Sequence, residues 1–131
     1  MDVEYLTIGG VERIHDLVLD RDGGIRGRHP GKLEAKLALP MSGFGDYERF
    51  PTIAEKAAAY LYEFAVGHCF MDGNKRTAYA ATFMFLDING FELICEDDEV
   101  VSFVSAVAND ETRPSFKKVV DWIKEHIHEC E

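Results

Sequence analysis

Residues 68–77 read His68-Cys69-Phe70-Met71-Asp72-Gly73-Asn74-Lys75-Arg76-Thr77, and they lie between two stretches whose apolar residues recur at helical spacing. Upstream, Thr52-Ile53-Ala54-Glu55 has the form of a capping box, in which the Thr52 hydroxyl and the Glu55 carboxylate each satisfy a free amide at a helix start. Ile53, Ala57, Tyr60, Leu61 and Phe64 then share one face, which predicts a long buried helix ending near Gly67. Downstream, a helical pattern runs over residues 74–89 through Ala80, Ala81, Phe83, Met84, Phe85 and Leu86, and closes on Asn89-Gly90, a good C-terminal stop. Nearly all faces of this second helix read as buried, the pattern of a central helix.

Working outward, Val11, Ile14, Leu17 and Val18 mark a first helix that Gly23-Gly24 breaks. A short second helix is expected to begin near Pro30, whose fixed φ suits a first helical position, to turn Leu33 and Leu37 inward, and to stop before Pro40. Residues 41–51 read as a loop or small hairpin. Residues 91–94 form a short extended piece. The four acids of residues 96–99 suit a helix N-terminus, followed by an apolar stripe of Val100, Val101, Phe103, Val104 and Val107. Ser115 can cap a last helix bearing Phe116, Val119, Val120, Ile123 and Ile127. The fold expected is all-α: one domain over residues 1–131, a compact bundle of about six helices with a central buried helix behind the loop, and a small flap hairpin as the one optional β feature.

The loop has an unusual composition for a connection between buried helices. A helix start offers unpaired N–H groups and the positive end of the helix dipole, which together bind anions. Gly73 permits an unusual backbone angle and lets a phosphate approach the main chain. Lys75 and Arg76 place two cations in the first turn, the unfavourable end of the dipole, and that placement makes sense when an anion sits there. Asp72 is a hard oxygen ligand one residue before the anion site, as Mg²⁺ is usually held when phosphate oxygens and waters complete its shell. Histidine titrates close to neutral pH, so His68 can accept the proton of an attacking hydroxyl. Phe70 alternates with His68 and Asp72 and should point inward, pinning the loop.

Other readings of these residues fit less well. A phosphate-binding Walker loop needs lysine directly after glycine, and Asn74 intervenes; an EF-hand needs alternating acids. Cys69, on the opposite side of an extended loop from His68, reads as a small buried apolar residue. Taken alone, His15 reads as a packing residue of the first helix in preference to one that lines the site, His126 and His128 as solvated residues near the chain end that do not bind metal, and Phe83, Phe85, Phe91 and Phe103 as core.

Composition narrows the function classes. With 14 Lys+Arg against 24 Asp+Glu the formal net charge is −10, which argues against nucleic acid as a partner and makes any nucleotide site a local basic island. No run approaches the roughly 18 apolar residues of a membrane span, and the first residues have no signal-peptide pattern, so no membrane partner and a cytoplasmic location are expected. Three cysteines without close pairs suit reduced thiols in place of a disulfide framework or a zinc site.

The ten residues quoted above resemble the motif of the Fic/Doc family, in the form found in the death-on-curing (Doc) toxins. The resemblance extends to Ile14-His15-Asp16, Arg21-Asp22-Gly23-Gly24, Pro30-Gly31, Glu55-Lys56-Ala57-Ala58, Phe85-Leu86 and Asn89-Gly90. It implies His68 as general base toward a Ser/Thr hydroxyl, Asp72 as the Mg²⁺ ligand, Gly73 and Asn74 as the anion-hole backbone and its support, and Lys75 and Arg76 as phosphate ligands, with ATP and Mg²⁺ required. AMP-transferring members resemble His-Pro-Phe-x-Asp/Glu-Gly-Asn-Gly-Arg-x-x-Arg. Here Lys75 replaces the second glycine and Tyr79 the second arginine. Doc toxins share both departures, so the resemblance implies a kinase-like toxin that transfers the γ-phosphoryl to a protein such as elongation factor Tu and is restrained by a Phd-like antitoxin. Protein AMPylation is the alternative, and a non-catalytic nucleotide- or partner-binding regulator a further one. By the same resemblance Arg21 lies near the substrate side, against a plain surface arginine, and residues 41–51 supply a flap that aligns a target peptide.

Overall fold

The computed structural model describes residues 2–130. Helix α1 (Ile8–Asp22) starts at Thr7, whose hydroxyl accepts the Gly10 N–H at 3.0 Å, and buries Val11, His15 and Leu19 at intervals of four. Helix α2 (Lys32–Ala38) begins two residues beyond Pro30, because Gly31 takes a left-handed conformation (φ 79°) that no helical residue can hold. It turns Leu33 and Leu37 inward as expected and passes into a 3₁₀ turn (Leu39–Met41) at Pro40. Strands β1 (Gly43–Phe44) and β2 (Tyr47–Glu48) form the small hairpin, pairing Gly43 with Glu48 and Phe44 with Tyr47. Its base is anchored by the buried Lys56, whose ammonium donates to Glu48 Oε1 at 3.0 Å and to the Phe50 carbonyl.

Helix α3 (Ile53–Val66) is the most enclosed element, with Ala54, Ala57, Ala58, Ala59, Tyr60, Leu61, Phe64 and Ala65 all buried. Only half of the capping box forms: the Thr52 hydroxyl accepts the Glu55 N–H at 3.1 Å, but the Glu55 carboxylate accepts from that same hydroxyl instead of reaching the Thr52 amide. Helix α4 (Asn74–Ile88) packs on α3 more extensively than any other pair of elements. The small side chains of Ala57, Ala58, Ala78 and Ala81 permit the close approach, and Tyr60 and Phe85 meet at 4.8 Å between ring centroids. Burial pushes the Tyr60 phenol up to about 12, and its oxygen accepts the Leu6 N–H. Asn89 then ties the N-terminal arm to the end of α4 by a reciprocal pair of bonds with the Glu4 backbone, at 2.9 and 2.8 Å.

Helix α5 (Asp97–Ala108) opens on Asp97, Asp98 and Glu99 and buries Val100, Val104 and Val107; helix α6 (Phe116–His126) is capped by Ser115. Both pack on α3. Strand β3 (Phe91–Leu93), which packs on α4, pairs antiparallel with β4 (Ile127–Glu129), Leu93 opposite Ile127.

Three expectations need correction. Helix α4 is not buried on all faces: Phe83, Met84 and Ile88 are exposed, so Phe83 is not core, and Val101 of the α5 stripe is exposed too. Ile127 does not extend the last helix, because the unpaired edge of β3 offers the chain a strand partner that no local signal announces. His126 is not solvated; it packs on the Trp122 ring at 4.4 Å. Phe85 is fully buried as expected, with Phe91 and Phe103 half-buried against the core.

Replacing Phe85 with Ala should therefore cost about 3–5 kcal/mol in urea denaturation. The same change at Phe83 should cost about 1 kcal/mol or less.

Candidate functional site

After Gly67 ends α3, His68 enters the loop with φ 48°, the one positive φ of a non-glycine among the described residues. Such a backbone costs roughly 1–2 kcal/mol and persists only where neighbours enforce it. They do so through residues 27–29, which run antiparallel to residues 69–71: the His29 N–H donates to the Cys69 carbonyl at 2.9 Å and the Met71 N–H to the Gly27 carbonyl at 3.0 Å. Cys69 and Phe70 face the core as expected, and burial raises the Cys69 thiol pKa, leaving it an inert packing group.

The loop is closed by Asn74. Its side-chain oxygen accepts the Phe70 N–H at 3.0 Å, and its side-chain nitrogen donates to the Phe70 carbonyl at 2.9 Å. With both ends of the amide occupied, Asn74 shapes the loop, and only its backbone N–H is directed to the helix start. His15 supports the same turn from α1: its ring stacks on Phe70 at 3.8 Å and 10°, and Nε2–H donates to the Asp72 carbonyl at 2.8 Å. The packing expected of His15 is present, but its hydrogen bond to the motif was not foreseen. The spacing Val11, His15, Leu19 carried the signal, since an imidazole on a buried face must find a polar partner.

Asp72 points outward, its Oδ2 accepting the Ile25 N–H at 3.2 Å and its Oδ1 the Gly73 N–H at 2.9 Å. Those two N–H groups, and more weakly the Arg76 guanidinium and His15, hold its pKa below the ordinary 3.8, so it is ionised at neutral pH. Gly24 makes room for this arrangement, because a Cβ there would stand 2.7 Å from Leu19 Cδ2 and 3.0 Å from Asp72 Oδ2.

Gly73 turns the chain into α4 at φ 75°. Whereas Thr7, Thr52 and Ser115 cap α1, α3 and α6, no side chain caps α4. Its first turn holds no acid and two exposed cations. Among the described residues Lys75 has no ion-pair partner, and the Arg76 guanidinium lies 3.7 Å from Asp22 while remaining largely exposed. His68, Asp72, Gly73, Asn74, Lys75 and Arg76 all line one open cleft of about 580 Å³, a volume suited to a nucleotide, walled opposite by Ser105, Ala108 and Asn109 at the end of α5. The α5 wall had no sequence signal. Arg21 lies outside this cleft, and the β1–β2 hairpin supplies none of its lining.

The cleft fits a Mg²⁺–phosphate group on its own chemistry: an ionised, outward-facing carboxylate sits one residue before an uncapped helix start that bears two cations.

Comparison with known proteins finds that the sequence model of the Fic/DOC family matches residues 5–86. A protein named Toxin Doc from Mycolicibacterium smegmatis is 41% identical over 76 residues, which span 58% of this chain and 58% of that protein. Protein kinase doc of Escherichia phage P1 is 32% identical over 112 residues, 85% of this chain and 86% of that one.

Substituting His15 with Phe keeps the ring stack and deletes the donor. The expected result is a loss of about 1 kcal/mol in urea denaturation, with faster amide hydrogen exchange concentrated in residues 68–76; uniform acceleration across α3 and α4 would refute a local role.

Proposed function

The chain belongs to the Fic/DOC family, and from that premise we propose that it is a Doc-like toxin that moves the γ-phosphoryl of ATP onto a Ser/Thr hydroxyl of a cytoplasmic protein. The observation that carries this reading is the meeting, in one cleft, of His68, the ionised Asp72 and the uncapped start of α4 with its free Lys75. His68 accepts the proton of the attacking hydroxyl. The N–H groups that open α4, with Lys75 and Arg76, hold phosphate oxygens and fix them for in-line attack. Asp72 would hold Mg²⁺, whose charge offsets that of the phosphates. Asn74 and His15 keep the loop in shape without touching substrate.

Tyr79 supports phosphoryl over AMP transfer. It stands where AMP-transferring members have a second arginine, and its ring stacks with Phe83 (6.4 Å, 12°) in a neighbouring apolar groove. No guanidinium is there to hold the terminal phosphate in the AMP-transfer orientation. The printed name of the phage relative, a protein kinase, points the same way. Elongation factor Tu is the target that the resemblance implies.

The groove supports an antitoxin partner of the Phd type. It is about 810 Å³, lined by Leu17 and Val18 of α1, Phe83 and Met84 of α4 and Val101 of α5, and it reaches Lys75 and Arg76 at the cleft. Leu17, Phe83, Met84 and Val101 are exposed, an apolar surface suited to an amphipathic segment that would block the site from the side.

With ATP, Mg²⁺ and a target protein, label should transfer from the γ position and not from the α position, and His68→Ala should abolish it while leaving the melting temperature unchanged; transfer from α-labelled ATP alone would establish AMP transfer instead. Expression of the chain should arrest growth. Val101→Asp should preserve that toxicity but weaken rescue by the antitoxin roughly tenfold or more, read as the antitoxin dose needed for growth.

A further inference from the structure

We infer that Cys95, Glu99 and His126 form a second site, for a transition-metal ion of the Zn²⁺ class. The three come from separate places: Cys95 from the connection after β3, Glu99 from the first turn of α5, and His126 from the last residue of α6. Folding brings one ligand atom of each within 4.8 Å of the others. None of them lines the cleft or the apolar groove.

The imidazole is prepared for ligation. His126 Nδ1–H donates to the Trp122 carbonyl at 2.6 Å, the bond that commonly fixes the tautomer of a metal-binding histidine and turns the Nε2 lone pair outward. Nε2 faces Glu99 Oε1 at 3.0 Å. In the neutral ring both atoms are acceptors, so a cation must stand between them: either a proton, giving an ordinary ion pair, or a metal ion. The position of Cys95 favours the metal. A proton shared by His126 and Glu99 needs no third donor, yet the Cys95 thiol is held within 4.8 Å of both ligand atoms.

The geometry is also held from behind. The Ile94 N–H donates to the His126 carbonyl at 2.8 Å, and the β3–β4 ladder continues from there, so the backbones that bear Cys95 and His126 are fixed to each other. His126 lies against Trp122 with its side chain only 16% exposed, whereas Glu99 is half-exposed and leaves a fourth position open to water. Glu96, Asp97 and Asp98 add negative charge at the start of α5, next to Glu99 in sequence. One sulfur, one imidazole nitrogen and one carboxylate oxygen form a set that suits Zn²⁺ and is wrong for Mg²⁺ or Ca²⁺, which take oxygen ligands. Binding would release the Cys95 thiol proton to solvent and clasp the start of α5 to the end of α6.

The test uses the full chain with Cys130→Ser, which removes the exposed thiol, and with excess Mg²⁺ to occupy Asp72. Titration with Co²⁺ should produce a thiolate-to-cobalt charge-transfer absorption that saturates at one equivalent. It should also quench the fluorescence of Trp122, the single tryptophan, which packs against the ligating ring. Zn²⁺ should displace the absorption and raise the melting temperature. Cys95→Ser should abolish the thiolate band, and Glu99→Gln, at an exposed position that folding tolerates, should weaken Co²⁺ binding roughly tenfold or more. Absence of the band, or Co²⁺ affinity unchanged in both variants, would overturn the site and leave His126–Glu99 as an ion pair only.

Discussion

The two hydrogen bonds between the Asn74 amide and the Phe70 backbone are the constraint on which the site depends. They close the loop onto the first turn of α4 and fix the sense of every side chain between. Phe70 is drawn inward against His15, which leaves Asp72 outward and sets Gly73 at the left-handed angle that starts the helix. A side chain that could bond only one end of that peptide would leave the loop free to rotate about the other. The cost of His68's strained backbone is met in the same way, by the pairing of residues 69–71 with residues 27–29.

The charge distribution has a physical logic built on the same loop. The chain is strongly acidic, so a phosphate ligand meets a repulsive surface nearly everywhere. At the α4 start, by contrast, the dipole, the uncapped N–H groups, Lys75 and Arg76 all have the same sign. Under the proposed function, the ionised Asp72 beside them would not cancel this attraction; it would favour an anion that arrives with a divalent cation. That an arrangement unfavourable to the helix in isolation persists at its most closely packed interface indicates that α3–α4 contact, and not intrinsic helix stability, holds α4 in place.

Much of this was legible in residues close together in sequence. The six-helix count, the Thr52 and Ser115 caps, the stop at Asn89-Gly90 and the grouping of His68 through Arg76 all rest on local chemistry, and each appears in the structure. The misreadings share one cause. Phe83 and Val101 are apolar residues that line a groove instead of filling the core, and periodicity cannot tell those two fates apart. Ile127 and His126 were read from their own helix alone, without β3 or Trp122. Asn74 was read as a support for the anion hole, and the folded loop shows how its side chain braces the Phe70 backbone.

The sequence by itself determined the groups of the candidate site: an imidazole, a carboxylate, a flexible glycine and two cations in nine consecutive residues, between two helical stretches. Tertiary structure decided which distant groups hold and surround that chemistry: His15 beneath Asp72, residues 27–29 beside the loop, and the end of α5 across the cleft. The reason is the range of the interactions. Helix caps, glycine angles and dipole effects act within a turn of the residue that causes them. Stacking, strand pairing and cleft walls join residues tens of positions apart, and they exist only once the core has brought those residues into contact.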